Sequence, residues 1–219
     1  MTTLFESALR HEIAGEYEKA LDYLRQCQSE LGHDRGDLAF HIGWCLENDR
    51  DGDRAEVLRH YEQASGEASS VEVRVNGSFR AGWVLMQEKD YGEAAAAFKK
   101  AISIAEQMHL DHDLYHQTVF WYALCLEHLG QYLEAAQRYG AVQRLSASLA
   151  PEAGYRELLC HNQVGRYDES LRVCGTFPVQ APGGFDPRRY ADLYELVKKE
   201  ENLLHRCLAE DHAAQGGSR

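Results

Sequence analysis

Positive charge is scarce in this chain: 23 Lys and Arg stand against 35 Asp and Glu, for a formal net charge of -12 and a pI near 5.3. Nucleic-acid binding depends on neutralising phosphates with clustered Lys and Arg, so the shortage argues against a nucleic-acid partner. A protein or peptide with basic or apolar character is the better complement. Long apolar runs are missing too. None approaches the ~20 residues that span a bilayer, and residues 1–10 lack the apolar core of a signal peptide. The expectation is a soluble, cytoplasmic protein with no membrane partner.

Metal and redox motifs are also absent. The six cysteines, Cys27, Cys45, Cys125, Cys160, Cys174 and Cys207, are scattered, and no pair has C-x-x-C spacing. Cys27 falls where later segments place Ala101 and Val142, the place of a small apolar residue in a core. Reduced, buried thiols are therefore expected, and no disulfide framework. There is no G-x-S-x-G elbow, phosphate-cradling glycine loop or H-E-x-x-H. The one cluster with metal-like spacing is His109 to His116, in which His112 and His116 are one helical turn apart with Asp113 beside them. Asp111 or Asp113 is more simply a helix N-cap, so no metal and no cofactor is expected.

What the chain does have is an internal repeat. Ala8, Gly43, Gly82 and Ala123 each stand 12 residues ahead of another small residue, Ala20, Ala55, Ala94 and Ala135, and Leu158 and Ser170 keep the spacing. Tyr17, Tyr91, Tyr132 and Tyr167 precede the second member by three residues. The offsets between units are 35, 39, 41 and 35 residues. Such a period marks a stack of supersecondary units, each too small to bury its apolar face alone. Helical spacing of Phe79, Gly82, Trp83 and Met86, then of Ala94, Phe98, Ala101 and Ile102, makes each unit two short antiparallel helices. In the second unit Gly52 replaces the tyrosine, and its second helix is expected either in register or slipped, so that Val57, Tyr61 and Ala64 form the stripe.

The runs Gly15-Glu16-Tyr17-Glu18-Lys19-Ala20, Lys89-Asp90-Tyr91-Gly92-Glu93-Ala94 and Gly130-Gln131-Tyr132-Leu133-Glu134-Ala135 resemble the turn and second helix of the tetratricopeptide repeat. The resemblance covers about residues 1–177 in five units, near 1–34, 36–70, 75–109, 113–147 and 151–177. It implies an all-α, right-handed superhelix of helix hairpins. Residues 178–186 read as a linker. Asp186-Pro187 then starts a helix expected over 187–210, with Tyr190, Leu193, Tyr194, Val197, Leu204 and Leu208 as its apolar stripe, capping the last repeat. A disordered tail is expected over 211–219.

In this family the first helix of each pair lines the concave face, so the resemblance places function there. Three residues before each small residue stand Phe5, Phe40, Phe79, Phe120 and Tyr155, all aromatic. Trp44, Trp83 and Trp121 lie on the same helices, with Arg80 and Arg156 beside the rings and His41 at the matching place. Either these rings thicken the core, or they are the anchors of a peptide groove in which Arg80 and Arg156 fix an acidic group. The carboxylate-tail clamp of some relatives is not expected, because its places hold Phe5, Leu9, His41, Asn76 and Arg80. The resulting expectation is a non-catalytic protein-binding adaptor or scaffold. The alternatives are a peptide-responsive regulatory sensor and a homo-oligomeric scaffold assembled through the C-terminal helix.

Overall fold

The computed structural model describes residues 3–29, 32–49 and 52–216, of which 211–216 as backbone only. Among the described residues it contains eleven α-helices and no strand, as the all-α reading requires. They are α1 (Leu4–Ile13), α2 (Tyr17–Gln28), α3 (Arg35–Asn48), α4 (Arg54–Glu67), α5 (Val71–Gln87), α6 (Tyr91–Gln107), α7 (Asp113–His128), α8 (Tyr132–Leu145), α9 (Ala150–Gln163), α10 (Tyr167–Thr176) and α11 (Pro187–Gly216). The chain divides into two compact units, residues up to Thr118 and residues from Val119, with the division inside α7.

The hairpin turns share one chemistry. The N–H groups of Glu16, Asp90, Gln131 and Arg166 reach back to the carbonyls of His11, Leu85, Leu126 and His161 at 2.8, 3.1, 2.9 and 2.9 Å. This closes the first helix of each hairpin with the six-to-one bond of a Schellman motif, which needs a left-handed residue just past the helix. Gly15, Gly130 and Gly165 take that conformation at φ 74, 75 and 70°, and Lys89 takes it at φ 66°. The turn between α3 and α4 includes residues 50 and 51, outside the described residues.

In the first unit α1 packs on α2, α3 on α4 and α5 on α6, while α2 meets α3 and α4 meets α5. The small residues sit at the crossings: Ala8, Ala20 and Ala94 are wholly buried, and Gly43 and Gly82 lie under large rings. A side chain there would push the helices apart. The second hairpin is slipped. Ala55 is exposed, and Val57, Tyr61 and Ala64 are buried, so Val57 takes the place held by Ala20 and Ala94 and Tyr61 the place held by Phe98. The helix starts late, at Arg54 rather than at Gly52 where the register of Ala55 would put it, because Asp53 caps it, accepting the Ala55 N–H at 3.0 Å.

In the second unit Ala123, Ala135, Leu158 and Ser170 are buried at the corresponding places. Asp186 accepts the Arg188 N–H at 2.9 Å and Pro187 opens α11. Val197 and Leu204 of α11 bury against Leu158, Val173, Cys174 and Phe177 of the last hairpin. The helix continues to Gly216, past the expected end at 210, so the expected tail is helical as far as it is described; residues 217–219 lie outside the described residues.

Candidate functional site

The aromatic row three residues before the small residue turns inward. Phe40 packs on Tyr61 with ring centroids 5.9 Å apart, Phe79 on Phe98 at 5.7 Å, and Phe120 on Tyr139 at 5.6 Å. In each case the partner is the largest buried residue of the second helix in the same hairpin. Phe79 and Phe120 are 8% and 5% exposed. These two are core rings, a correction to the expectation that they face a groove: the hairpin crossing does demand a large ring here, to fill the space beside the small residue. Phe5 stands against His33 and His41 at 5.7 and 5.5 Å, and Tyr155 packs against the cluster that includes α11. Both are partly buried.

The residues one helical turn round from that row are only half covered. His41, Trp44, Arg80 and Trp83 in the first unit, and Trp121, Leu124, Arg156 and Leu159 in the second, have intermediate exposure. They stand two residues before and one after the small residue, a spacing that puts them on one face of each first helix.

The basic side chains on this face stand against glutamates. His41 Nδ1 lies 2.8 Å from Glu12 Oε2, linking α3 to α1. The Arg80 guanidinium is bidentate on Glu47, with Nε 3.1 Å from Oε2 and Nη2 on Oε1, linking α5 to α3. It also lies over the Trp44 ring at 4.7 Å. In the second unit Arg156 Nη1 donates to both oxygens of Glu127 at 3.3 and 3.2 Å, linking α9 to α7. Sequence reasoning offered Arg80 and Arg156 to a ligand's acidic group; both are instead paired within the chain. The glutamates escaped it, although Glu12, Glu47 and Glu127 all stand four residues after the small residue.

Two tyrosines complete the arrangement. Tyr61 donates its hydroxyl to Glu47 Oε2 at 2.5 Å, and Tyr139 donates to Glu127 Oε2 at 2.8 Å. Burial first, and the neighbouring carboxylate second, push both hydroxyls well above the usual tyrosine range. They stay protonated and act as donors.

The histidine cluster between α6 and α7 serves local structure. His112 Nδ1 accepts the Leu114 N–H at 3.2 Å, and His116 Nε2 lies 2.7 Å from Asp111 Oδ1. Among the described residues no group of three His, Cys, Asp or Glu stands where it could hold a metal ion. Likewise, no helix is long and apolar enough to cross a membrane. Cys45, Cys125, Cys160 and Cys174 are buried free thiols, and Cys27 is buried with them in the core. A crevice of about 460 Å³ in the first unit is lined by Leu58, Leu85, Ala97, Glu62, Glu93 and Lys100 among others, and by none of the expected groove residues.

Residues 77–108, the second half of α5 with α6, match the tetratricopeptide repeat family model. No curated protein matches the chain as a sequence. Several solved structures share the fold. MamA AMB-1 is 21% identical, covers 78% of this chain and 85% of its own, and superposes with a TM-score of 0.59. The apo form of RapI is 13% identical over 91% of this chain and 72% of its own, with a TM-score of 0.64. A kinesin light chain-like protein of Podosopora anserina, built of nearly identical TPR-like repeats, is 12% identical over 90% and 94%, with a TM-score of 0.54. One stretch of the chain, residues 77–108, thus matches the tetratricopeptide repeat, and the hairpins before and after it share the fold of these solved structures.

Proposed function

We propose that the chain is a non-catalytic protein-binding adaptor, and that its partner surface is the half-covered face of the first helices. The observation that carries this reading is the row of His41, Trp44, Arg80 and Trp83 on α3 and α5, where two tryptophans stay partly open beside a core that already has its rings. Tryptophan and arginine are the side chains that dominate protein–protein binding energy. Trp121 and Arg156 hold the matching places in the second unit. Phe5, Phe40 and Tyr155 support the row from beneath, and Phe79 and Phe120 stabilise the hairpins without touching a partner. The net charge of -12 favours a partner segment of apolar and basic character. The protein works in the cytoplasm and uses no cofactor.

The test is affinity capture from native lysate, comparing the wild type with a folded Trp44→Ala/Trp83→Ala variant. A protein retained by the first and lost by the second supports the reading. Equal retention by both moves the partner surface off the first helices.

A second reading has its own observation. Leu196 and Leu203, one heptad apart on α11, are 41% and 46% exposed, which favours self-association through that helix. Sedimentation at micromolar concentration showing monomer alone would remove it.

A further inference from the structure

The two units repeat one polar arrangement. A glutamate four residues after the small residue accepts a tyrosine hydroxyl from the second helix of its own hairpin and holds the arginine of the following hairpin: Tyr61, Glu47 and Arg80 in the first unit, Tyr139, Glu127 and Arg156 in the second. All six side chains are buried or half-buried. The third hairpin lacks both halves together. At the glutamate's place it has Met86, and at the tyrosine's place Phe98, so no hydroxyl is buried where no carboxylate can accept it. The first hairpin keeps Glu12 with Leu24 at the tyrosine's place, so the glutamate occurs without the tyrosine, whereas each buried tyrosine of this kind, Tyr61 and Tyr139, has its glutamate.

We propose that Glu47 and Glu127 are positioning residues of the partner surface. Each carboxylate, pinned by its tyrosine, neutralises and fixes the next hairpin's arginine, so that this face takes an apolar or basic segment and refuses a carboxylate. In the first unit the consequence is direct, since the Arg80 guanidinium that Glu47 grips is the group lying 4.7 Å over Trp44. The Nε–H and one Nη–H of Arg80 are taken by Glu47 and its charge is compensated there, so an incoming acid meets a neutralised guanidinium with the Glu47 carboxylate beside it. The triad keeps Trp44 in one orientation, which lowers the ordering cost of binding.

This inference rests on the reading of the first-helix face as the partner surface. Its test uses no partner, so it stands or fails separately from the capture experiment. The protein is prepared with 5-fluorotryptophan, which gives one signal for each of its 3 tryptophans, and with ¹⁵N-arginine. Glu47→Gln is expected to shift the Trp44 signal and to speed proton exchange at Arg80 Nε about tenfold or more, with Trp83 and Trp121 unmoved. Tyr61→Phe, which keeps the carboxylate and removes its anchor, is expected to move both readouts the same way by less. It carries the test if Glu47→Gln does not fold. Sodium acetate, compared with chloride at equal ionic strength, should leave Arg80 unmoved in the wild type and move it in Glu47→Gln. Unchanged Trp44 and Arg80 signals in the variants, or a wild-type Arg80 that responds to acetate as the variant does, would overturn the proposal.

Discussion

Gly82 lies flat against the ring of Phe98, so close that a Cβ on Gly82 would stand 2.9 Å from the ring carbons. The crossing of α5 and α6 is set by that contact. Gly82→Ala is expected to lower stability by about 1–3 kcal/mol, because overpacking outweighs the better helix propensity of alanine. Gly66, inside α4, has nothing within 4 Å of a Cβ. Gly66→Ala should raise stability by about 0.5–1 kcal/mol. Thermal or urea unfolding of the two variants checks both signs; a stabilising Gly82→Ala would show that α5 and α6 do not cross as described.

Lys89 occupies the left-handed turn position, at φ 66°, that Gly15, Gly130 and Gly165 fill in the other hairpins. A left-handed conformation costs a residue with a Cβ about 1–2 kcal/mol, and part of that gain is returned through the freer unfolded chain. Lys89→Gly is therefore expected to stabilise the protein by several tenths to about 1 kcal/mol. A loss of stability in denaturant titration would mean that the lysine side chain contributes more than its backbone strain.

Asp34 ties the start of α3 to the link between α4 and α5. It accepts the N–H groups of Gly36 and Asp37 at 2.8 and 3.0 Å and that of Ser69 at 2.9 Å. The hydrogen bonds from Ser69, the largest influence, and from Asp37 hold its carboxyl below the usual aspartate range. A depressed folded-state pKa contributes stability that is complete above the ordinary value near ~3.9 and is lost as pH falls through the folded value. Asp34→Asn should lower stability near neutral pH by about 1 kcal/mol and flatten the dependence below about pH 4. An unchanged acid limb by circular dichroism would contradict this.

The thiols offer a chemical check on the core. Burial pushes Cys45, Cys125 and Cys160 up to about 12, so at neutral pH they carry almost no thiolate. Cys207, on α11, is the one cysteine not fully buried. In the native protein a thiol reagent should label Cys207 first and the other five of the 6 cysteines only on unfolding. Rapid labelling of Cys45 or Cys160 would show that the hairpins open far more often than a packed stack allows.

Much of this architecture was legible in the residues, for a physical reason. Two helices can cross closely only where small side chains meet, so Ala8 with Ala20, or Ala123 with Ala135, fix the hairpin register by themselves. The second hairpin was ambiguous because Gly52 replaces the tyrosine mark, and only burial of Val57 and Tyr61 decides for the slipped register. The aromatic row stayed open between core and groove because spacing gives the face of a helix and not the neighbour that a ring turns toward. Phe79 and Phe120 turn to their own second helix and find Phe98 and Tyr139. The glutamates had a readable signal that went unused: acids at one fixed offset, Glu12, Glu47 and Glu127, and bases at another, His41, Arg80 and Arg156. Complementary charge in register is what an inter-hairpin ion pair looks like in sequence. The length of α11 was underestimated because no proline follows Glu210, and glycine comes only at Gly216.

The division of the first helices into a row that packs and a row that binds is tested most directly by one comparison. Affinity for the partner recovered by capture, and Tm, are measured side by side for Phe79→Ala and Trp83→Ala. Phe79→Ala is expected to cost about 3–5 kcal/mol of stability and to leave the affinity of the folded fraction nearly unchanged. Trp83→Ala is expected to weaken binding by about 2 kcal/mol or more at a far smaller cost in stability. If Trp83→Ala binds like the wild type while Phe79→Ala, still folded, has lost its affinity, the assignment of the two rows is wrong.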